Sequence, residues 1–319
     1  MTTPTPPDES DASTAHDAAR TADREAERTI TRILYDGDLV TEPVDHDDLA
    51  GTVYTPPGEG PHPAVLNLHG SGGSSSGRFA RLLASNGYAV FSVRYFGEAD
   101  PLPDELAQVP LSYFDTAAAW FRGQPEVADG PLGLVGASRG GELALLLGAR
   151  YDWAGAVVTY AGSGIAYDTP AGIPAWIADG EPIPHISGEG APDRVDGRVV
   201  TRPVLERGLD AASDDERRRA TIPVERIDGG VLLLSGGADP VWPAQRLSAI
   251  AAERLERRGH DHPAEHLTYD QVGHLIGVPY APTSSVAHGG SSARATAHAA
   301  ADSWPVVLEF LDRGLPSKD

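Results

Sequence analysis

The sequence predicts an α/β fold: a mostly parallel, doubly wound sheet with a cap region inserted into it. Three observations carry this expectation. Short apolar runs alternate with segments of helical apolar spacing along most of the chain. The alternation lapses near residue 163, gives way to about sixty residues rich in Gly, Pro and charge, and then resumes. At 319 residues the chain is long enough to bury one large core.

Taken in order, residues 1–28 are Pro/Ser/Thr/Asp-rich and lack the apolar stretch of a signal peptide, so they read as a disordered acidic tail. The folded domain is expected over 29–319. "TRILYDGDLV" and "LAGTVYTPP" are strand-like runs separated by a polar turn, an antiparallel opening hairpin. "PAVLNLHG" (63–70) is a buried strand, "GRFARLLASNG" (77–87) a helix stopped by glycine, and "YAVFSVRYFG" (88–97) another strand. "YFDTAAAWFRG" (113–123) is a helix and "PLGLVG" (131–136) a strand, followed by a helix over 139–149 and the strand "AGAVVTYAG" (154–162). The cap, 163–222, offers one helix around "ERGLDAASDDERRRA". Beyond it come the strand 229–237, the helix 243–259, the strand 264–270 and a closing helix, "ARATAHAAADSWPVVLEFLDRG". No internal repeat is visible.

Composition narrows the function classes. The formal net charge is −21. Residues 1–30 carry seven acids against three arginines, so −17 lies beyond the tail. Lys318 is the single lysine. An acidic surface nearly free of lysine resembles that of a protein from a salt-loving cell, where repulsion is screened; a GC-rich genome encoding Arg in place of Lys is the plainer alternative. Either way nucleic-acid and anionic-membrane partners, which need a basic face, are disfavoured. With no cysteine, disulfides, thiolate zinc sites and a cysteine nucleophile are excluded. No apolar run is long enough to span a membrane, and no cluster has metal-ligand spacing. The expectation is a cytoplasmic protein without metal or cofactor, acting on a small molecule.

Gly136-Ala137-Ser138-Arg139-Gly140 fits G-x-S-x-G between a buried strand and a helix. A turn this sharp has no room for a Cβ at the glycines, and it presents the serine at the carboxyl end of the sheet. The alternative is a small loop whose serine merely caps the helix. A serine hydroxyl needs a base, and the base needs an orienting carboxylate; on the α/β-hydrolase fold these follow in the order serine, acid, histidine. "VLLLSGG" runs into Asp239, and "HLTYDQVGHLIG" places His274 just after the next strand. Among rivals, His260, His262 and His266 lie at the wrong end of that strand, His288 and His298 in or near the last helix, and His185 in the cap. Asp270 sits too close to His274, and Asp210 belongs to the cap. An oxyanion hole would take the Arg139 N–H and a second donor from "LHGSGGSSSG", Ser71 first and Gly72 next. That loop is no P-loop, since it lacks G-x-x-x-x-G-K-[ST]; His69 within it reads as structural.

With these residues in place the chain resembles the acyl-CoA thioesterase and bile-acid-CoA:amino-acid N-acyltransferase family, in its C-terminal α/β-hydrolase domain. The likeness rests on "NLHGSGGSSSGRFARLLASNGYAVFSVRYFGEADPLPDEL", "LSYFDTAAAWF", "GASRGGELAL", "IPVERIDGGVLLLSGGADPVWPA", "VGHLIGVPYAP" and "HAAADSWPVVLEFL". Asp239 precedes Trp242 by three, as in the family's acid loop. Coverage runs from about residue 63 to the end, apart from the cap; the broader dienelactone-hydrolase-like group would lack several of these motifs. Animal members carry a β-sandwich ahead of the hydrolase, for which the residues before the first core strand are too few. In this family amino-acid conjugation goes with a cysteine nucleophile and thioester hydrolysis with serine, so the resemblance implies a serine thioesterase. A carboxylesterase on small esters or lactones and a non-catalytic binding protein of the same fold are the rivals. Arg194, Arg198, Arg202 and Arg217, Arg218 and Arg219 could serve CoA phosphates, or simply pair with surface acids.

Overall fold

A computed structural model describes residues 39–46, 49–73, 77–97, 102–195, 198–279, 283 and 292–318. The expected tail and most of the run 31–40 lie outside the described residues. An antiparallel hairpin opens the fold, from β1 (Val40–His46) to β2 (Leu49–Thr55). The segment expected to be its polar turn is thus the first strand. Alternation of Val, Pro and charge along "VTEPVDH" suits an edge strand wet on one side, which polarity alone does not distinguish from a turn.

The core alternates as expected, with the addition of a short, unexpected β5: β3 (Ala64–Leu68), α1 (Arg78–Ser85), β4 (Ala89–Arg94), β5 (Val109–Pro110), α2 (Leu111–Arg122), β6 (Leu132–Ala137), α3 (Arg139–Arg150) and β7 (Ala154–Tyr160). After the cap come β12 (Gly230–Gly236), α6 (Ala244–Arg258), β13 (Ala264–Tyr269) and α7 (Ala293–Gly314), with β8–β11 and α4–α5 between. Eight strands form one sheet in the order β1-β2-β4-β3-β6-β7-β12-β13, antiparallel only at β1–β2 and β2–β4. Side chains alternate between its two faces with the strand period. Leu66, Leu68, Leu134 and Leu233 join the layer of α2, α3 and α6, whereas Val65, Val135, Leu232 and Leu234 face α1 and α7. Strand order reverses between β3 and β6, and open sheets of this type bind ligands in the crevice beyond such a reversal.

The cap is more ordered than its weak periodicity suggests. It contains β8 (Trp176–Ala178), β9 (Glu181–Pro182), β10 (Asp193–Val195), β11 (Arg198–Val200), α4 (Arg202–Ala211) and α5 (Asp214–Ala220). The single expected helix is two. Ser213 and Glu216 form a capping box that starts a new helix two residues after α4 ends, because the two side chains satisfy N–H groups a through-going helix would bond internally. Ile165, Tyr167, Ile186, Leu209 and Ala220 of the cap pack with Trp242, Ala244 and Leu247 in a core of their own. Among the described residues no helix is long and apolar enough to cross a membrane.

The steric reading of the glycines is testable. A Cβ on Gly140 would lie 2.2 Å from the Leu68 carbonyl oxygen, whereas one on Gly72 would meet nothing within 4 Å. Gly140→Ala is expected to cost about 3 kcal/mol or more in urea unfolding, and Gly72→Ala less than about 1 kcal/mol.

Candidate active site

At the end of β6 the chain turns into α3 through Ser138, whose φ of 56° and ψ of −122° are strained for a residue with a side chain. A Cβ on Gly136 would be 2.0 Å from the Gly140 oxygen, so strand and helix touch backbone to backbone. The Ser138 N–H donates to the Tyr160 carbonyl at 2.7 Å, and its own carbonyl accepts from Gly141 and Glu142 N–H at 2.9 and 3.1 Å. Although Ser138 occupies the N-cap position, its hydroxyl makes no capping bond. The capping alternative therefore lacks its hydrogen bond.

Asp239 lies on the loop after β12 and His274 on the loop after β13. Backbone bonds tie these loops together: Gly237 N–H to the Tyr269 carbonyl at 3.0 Å and Ala238 N–H to the Val272 carbonyl at 3.0 Å. His274 Nδ1 donates to Asp239 Oδ2 at 2.7 Å, with both residues buried. Asp239 Oδ1 accepts the N–H groups of Val241 and Trp242 at 2.8 and 3.1 Å. The carboxylate is thus gripped on one oxygen while the other orients the ring, leaving Nε2 as the basic nitrogen. β6, β7, β12 and β13 are consecutive neighbours in the sheet, so Ser138, Asp239 and His274 all emerge from the same rim.

The rivals are engaged elsewhere. His266 Nε2 lies 2.7 Å from Ser235 Oγ, His260 Nε2 3.1 Å from the Gly229 carbonyl, His262 2.9 Å from Asp228, and His185 2.8 Å from the Ile183 carbonyl. His298 is exposed, and His288 falls outside the described residues. Asp270 accepts from Gln245, and Asp210 pairs with Arg246 on the surface.

Across the strand-order reversal, the loop after β3 approaches the serine closely. A Cβ on Gly70 would lie 3.2 Å from Ser138 Cβ. Ser71 and Gly72 follow in an exposed turn closed by Gly73 N–H to the Gly70 carbonyl at 3.3 Å. The Arg139 N–H heads α3, among the first-turn donors that a helix leaves unsatisfied. His69 underpins this loop. Its ring stacks on Tyr95 at 4.0 Å between centroids, its Nδ1 donates to the Gly70 carbonyl at 2.9 Å, and Tyr95 Oη donates to the His69 carbonyl.

Three residues about the site have roles not visible in the sequence: Glu142, Trp176 and the side chain of Arg139. The buried Glu142 carboxylate accepts from Arg139 Nη1 at 3.2 Å, Trp176 Nε1 at 2.7 Å and Tyr167 N–H at 3.3 Å. Burial pushes its pKa upward, against the pull of Arg139 and the two N–H donors. The available signal was two charges three apart at the head of an otherwise Leu/Ala helix. The cap arginines pair with acids: Arg202 with Glu206, Arg217 with Asp214, Arg218 and Arg219 with Asp215. Arg202 also reaches the carbonyls of Gly237 and Asp239, at 3.0 and 3.3 Å. Among the described residues no group of three or more His, Cys, Asp or Glu is arranged to hold a metal ion.

Burial pushes His69 down to about 4. The native state therefore excludes a proton that the unfolded chain takes up near pH 6.5, so stability falls as pH drops from about 6.5 to about 4. At pH 5 the loss from this group is about 2 kcal/mol. His69→Phe keeps a ring on Tyr95 and removes the titration; its melting temperature is expected to fall less than that of the wild type between pH 7 and 5.

The family model for the BAAT / acyl-CoA thioester hydrolase C terminal matches residues 109–317. Human acyl-coenzyme A thioesterase 1 is 30% identical over 287 residues, covering 86% of this chain and 65% of the relative. Acyl-coenzyme A thioesterase 2, mitochondrial, of Rattus norvegicus is 31% identical over 290 residues, covering 86% and 60%. The chain thus spans less than two thirds of the length of these curated relatives. Among solved structures, a Mycobacterium tuberculosis puromycin-hydrolyzing peptidase superposes with TM-score 0.57 at 18% identity, over 89% of this chain and 40% of that one. A dienelactone hydrolase-like promiscuous phosphotriesterase from metagenomic libraries gives 0.52 at 19%, over 88% and 100%. The fold is that of the α/β-hydrolases, and with more than half of its residues matched by the family model the chain belongs to the BAAT / acyl-CoA thioester hydrolase C-terminal family.

Proposed function

We propose that this chain is a serine hydrolase that cleaves acyl-CoA thioesters to free acid and CoA, with Ser138 as nucleophile, His274 as base and Asp239 as the orienting acid. The observation that carries the reading is the buried Asp239–His274 bond on the rim from which a strained, uncapped serine emerges. His274 Nε2 takes the hydroxyl proton as Ser138 Oγ attacks the thioester carbonyl. The Arg139 N–H and a donor from Ser71 or Gly72 receive the oxyanion. Collapse breaks the C–S bond, with the proton on His274 passing to the leaving thiolate. A water deprotonated by His274 then cleaves the acyl-serine ester.

The thioester assignment leans on the named relatives and on serine at 138, which favours water over an amine as acceptor. Arg202, Arg217, Arg218 and Arg219 of the cap, engaged with acids, lend it no support. We place the enzyme in the cytoplasm, although the acyl-coenzyme A thioesterase 2 relatives are named as mitochondrial.

A fluorophosphonate probe is expected to label the wild type at one site and to leave Ser138→Ala unlabelled. An unlabelled wild type, or full labelling of the variant, excludes the reading. Ser138→Ala and Asp239→Asn should each lose activity by about a thousandfold or more. Thiol release from acyl-CoAs compared with nitrophenyl-ester hydrolysis in high salt assigns the leaving group; a preference for esters by orders of magnitude makes the enzyme a carboxylesterase.

A further inference from the structure

The role proposed for Arg139 uses only its backbone N–H, and leaves its side chain unexplained. That guanidinium is buried, with 7% of the side chain exposed and its Glu142 partner fully covered. Nη1 lies 3.2 Å from each Glu142 carboxylate oxygen and donates to the Tyr167 carbonyl at 2.9 Å, while Nη2 donates to the Asp168 carbonyl. Its Cζ stands 5.2 Å from the Trp242 ring centroid. One cation therefore touches three elements at once: the helix headed by Ser138, the first turn of the cap, and the acid loop. Trp242 in turn donates its backbone N–H to Asp239 Oδ1 and its indole N–H to the Ala161 carbonyl at 2.7 Å.

A buried ion pair is a poor source of stability, since apolar residues of similar volume generally hold a core as well or better. What it adds is direction. A guanidinium offers five donors in a fixed plane; here they tie the head of α3 to the Tyr167 and Asp168 carbonyls of the cap, with the Trp242 ring of the acid loop beside the cation.

We propose that the Arg139 side chain, with Glu142 as counter-ion, is a positioning residue that holds its own N–H and, through Trp242, the Asp239 carboxylate in register for the transition state. The proposal rests on the hydrolase reading above. Substituting Arg139 leaves the backbone N–H in place, so any loss reports on position and not on a deleted donor.

The experiment compares wild type, Arg139→Met/Glu142→Met, Arg139→Lys and Glu142→Gln. Each is checked for folding by thermal melts, assayed for kcat and KM on its best ester or thioester, and timed for fluorophosphonate labelling. The double apolar variant is expected to melt near or above the wild type yet to lose between about 10-fold and 100-fold in kcat, with KM little changed. Labelling should slow in parallel, because it needs the oxyanion donors and the base. Arg139→Lys, which keeps the charge but not the fork, should fall between. Wild-type kcat and labelling in the double variant, or a defect confined to KM, overturns the proposal. Should the double variant not fold, Arg139→Lys and Glu142→Gln decide: both folded with wild-type kcat overturns it. A wild type that is not labelled at Ser138 instead sinks the hydrolase reading beneath it.

Discussion

The site depends on one close approach, where β6 becomes α3 and the backbone at Gly136 meets the backbone at Gly140. No side chain fits between them. That contact tilts the helix onto the end of β3, forces Ser138 into a conformation that costs about 1–3 kcal/mol, and aims the first N–H groups of α3 toward the serine. Loosening it would relax the serine, shift the Arg139 N–H and part the loop at Gly70 from Ser138 together. The strain is supported by the central strands β3, β4, β6 and β7, buried on both faces, so the turn has nothing soft to deform.

The same rigidity extends to Asp239 and His274. Asp239 is held by two backbone N–H groups and spends its other oxygen on His274, and the loops bearing them are bonded backbone to backbone. The cap joins this construction. Its first residues cover the buried Arg139–Glu142 pair, Arg202 at the head of α4 reaches the acid-loop carbonyls, and Tyr167 packs with Trp242. The inserted region is therefore bonded and packed to two of the elements that carry the site.

Surface charge follows a different logic. In the cap, Arg202, Arg217, Arg218 and Arg219 each face a nearby aspartate or glutamate, and such pairs contribute little to stability and are screened by salt. They offset local repulsion in a chain of formal charge −21. Arg139, buried beside the serine, is of another kind, because its neighbours are carbonyls, a carboxylate and an indole ring.

Much of this was legible in order along the chain. Outside the cap, strand and helix periods placed the elements from β3 onward, the two-residue β5 apart, to within a few residues, because two-sided burial writes long apolar runs and helix packing writes a 3.6-residue stripe. The candidate positions Ser138, Asp239 and His274 could be picked out from their placement, since a serine on a tight turn needs its glycines adjacent and the partners proposed for it fall at later strand ends. Short range failed where polarity is ambiguous: "VTEPVDH" reads as a turn but pairs as an edge strand, and "ERGLDAASDDERRRA" hides the capping box that splits it. By itself the sequence determined the fold class and the order of the core elements, and it singled out Ser138, Asp239 and His274 as candidates for the site. Only the tertiary structure decided what Arg139, Glu142, Trp176 and Trp242 do for one another, because a buried charge acquires its meaning from groups 28 to 103 residues away that no local pattern brings together.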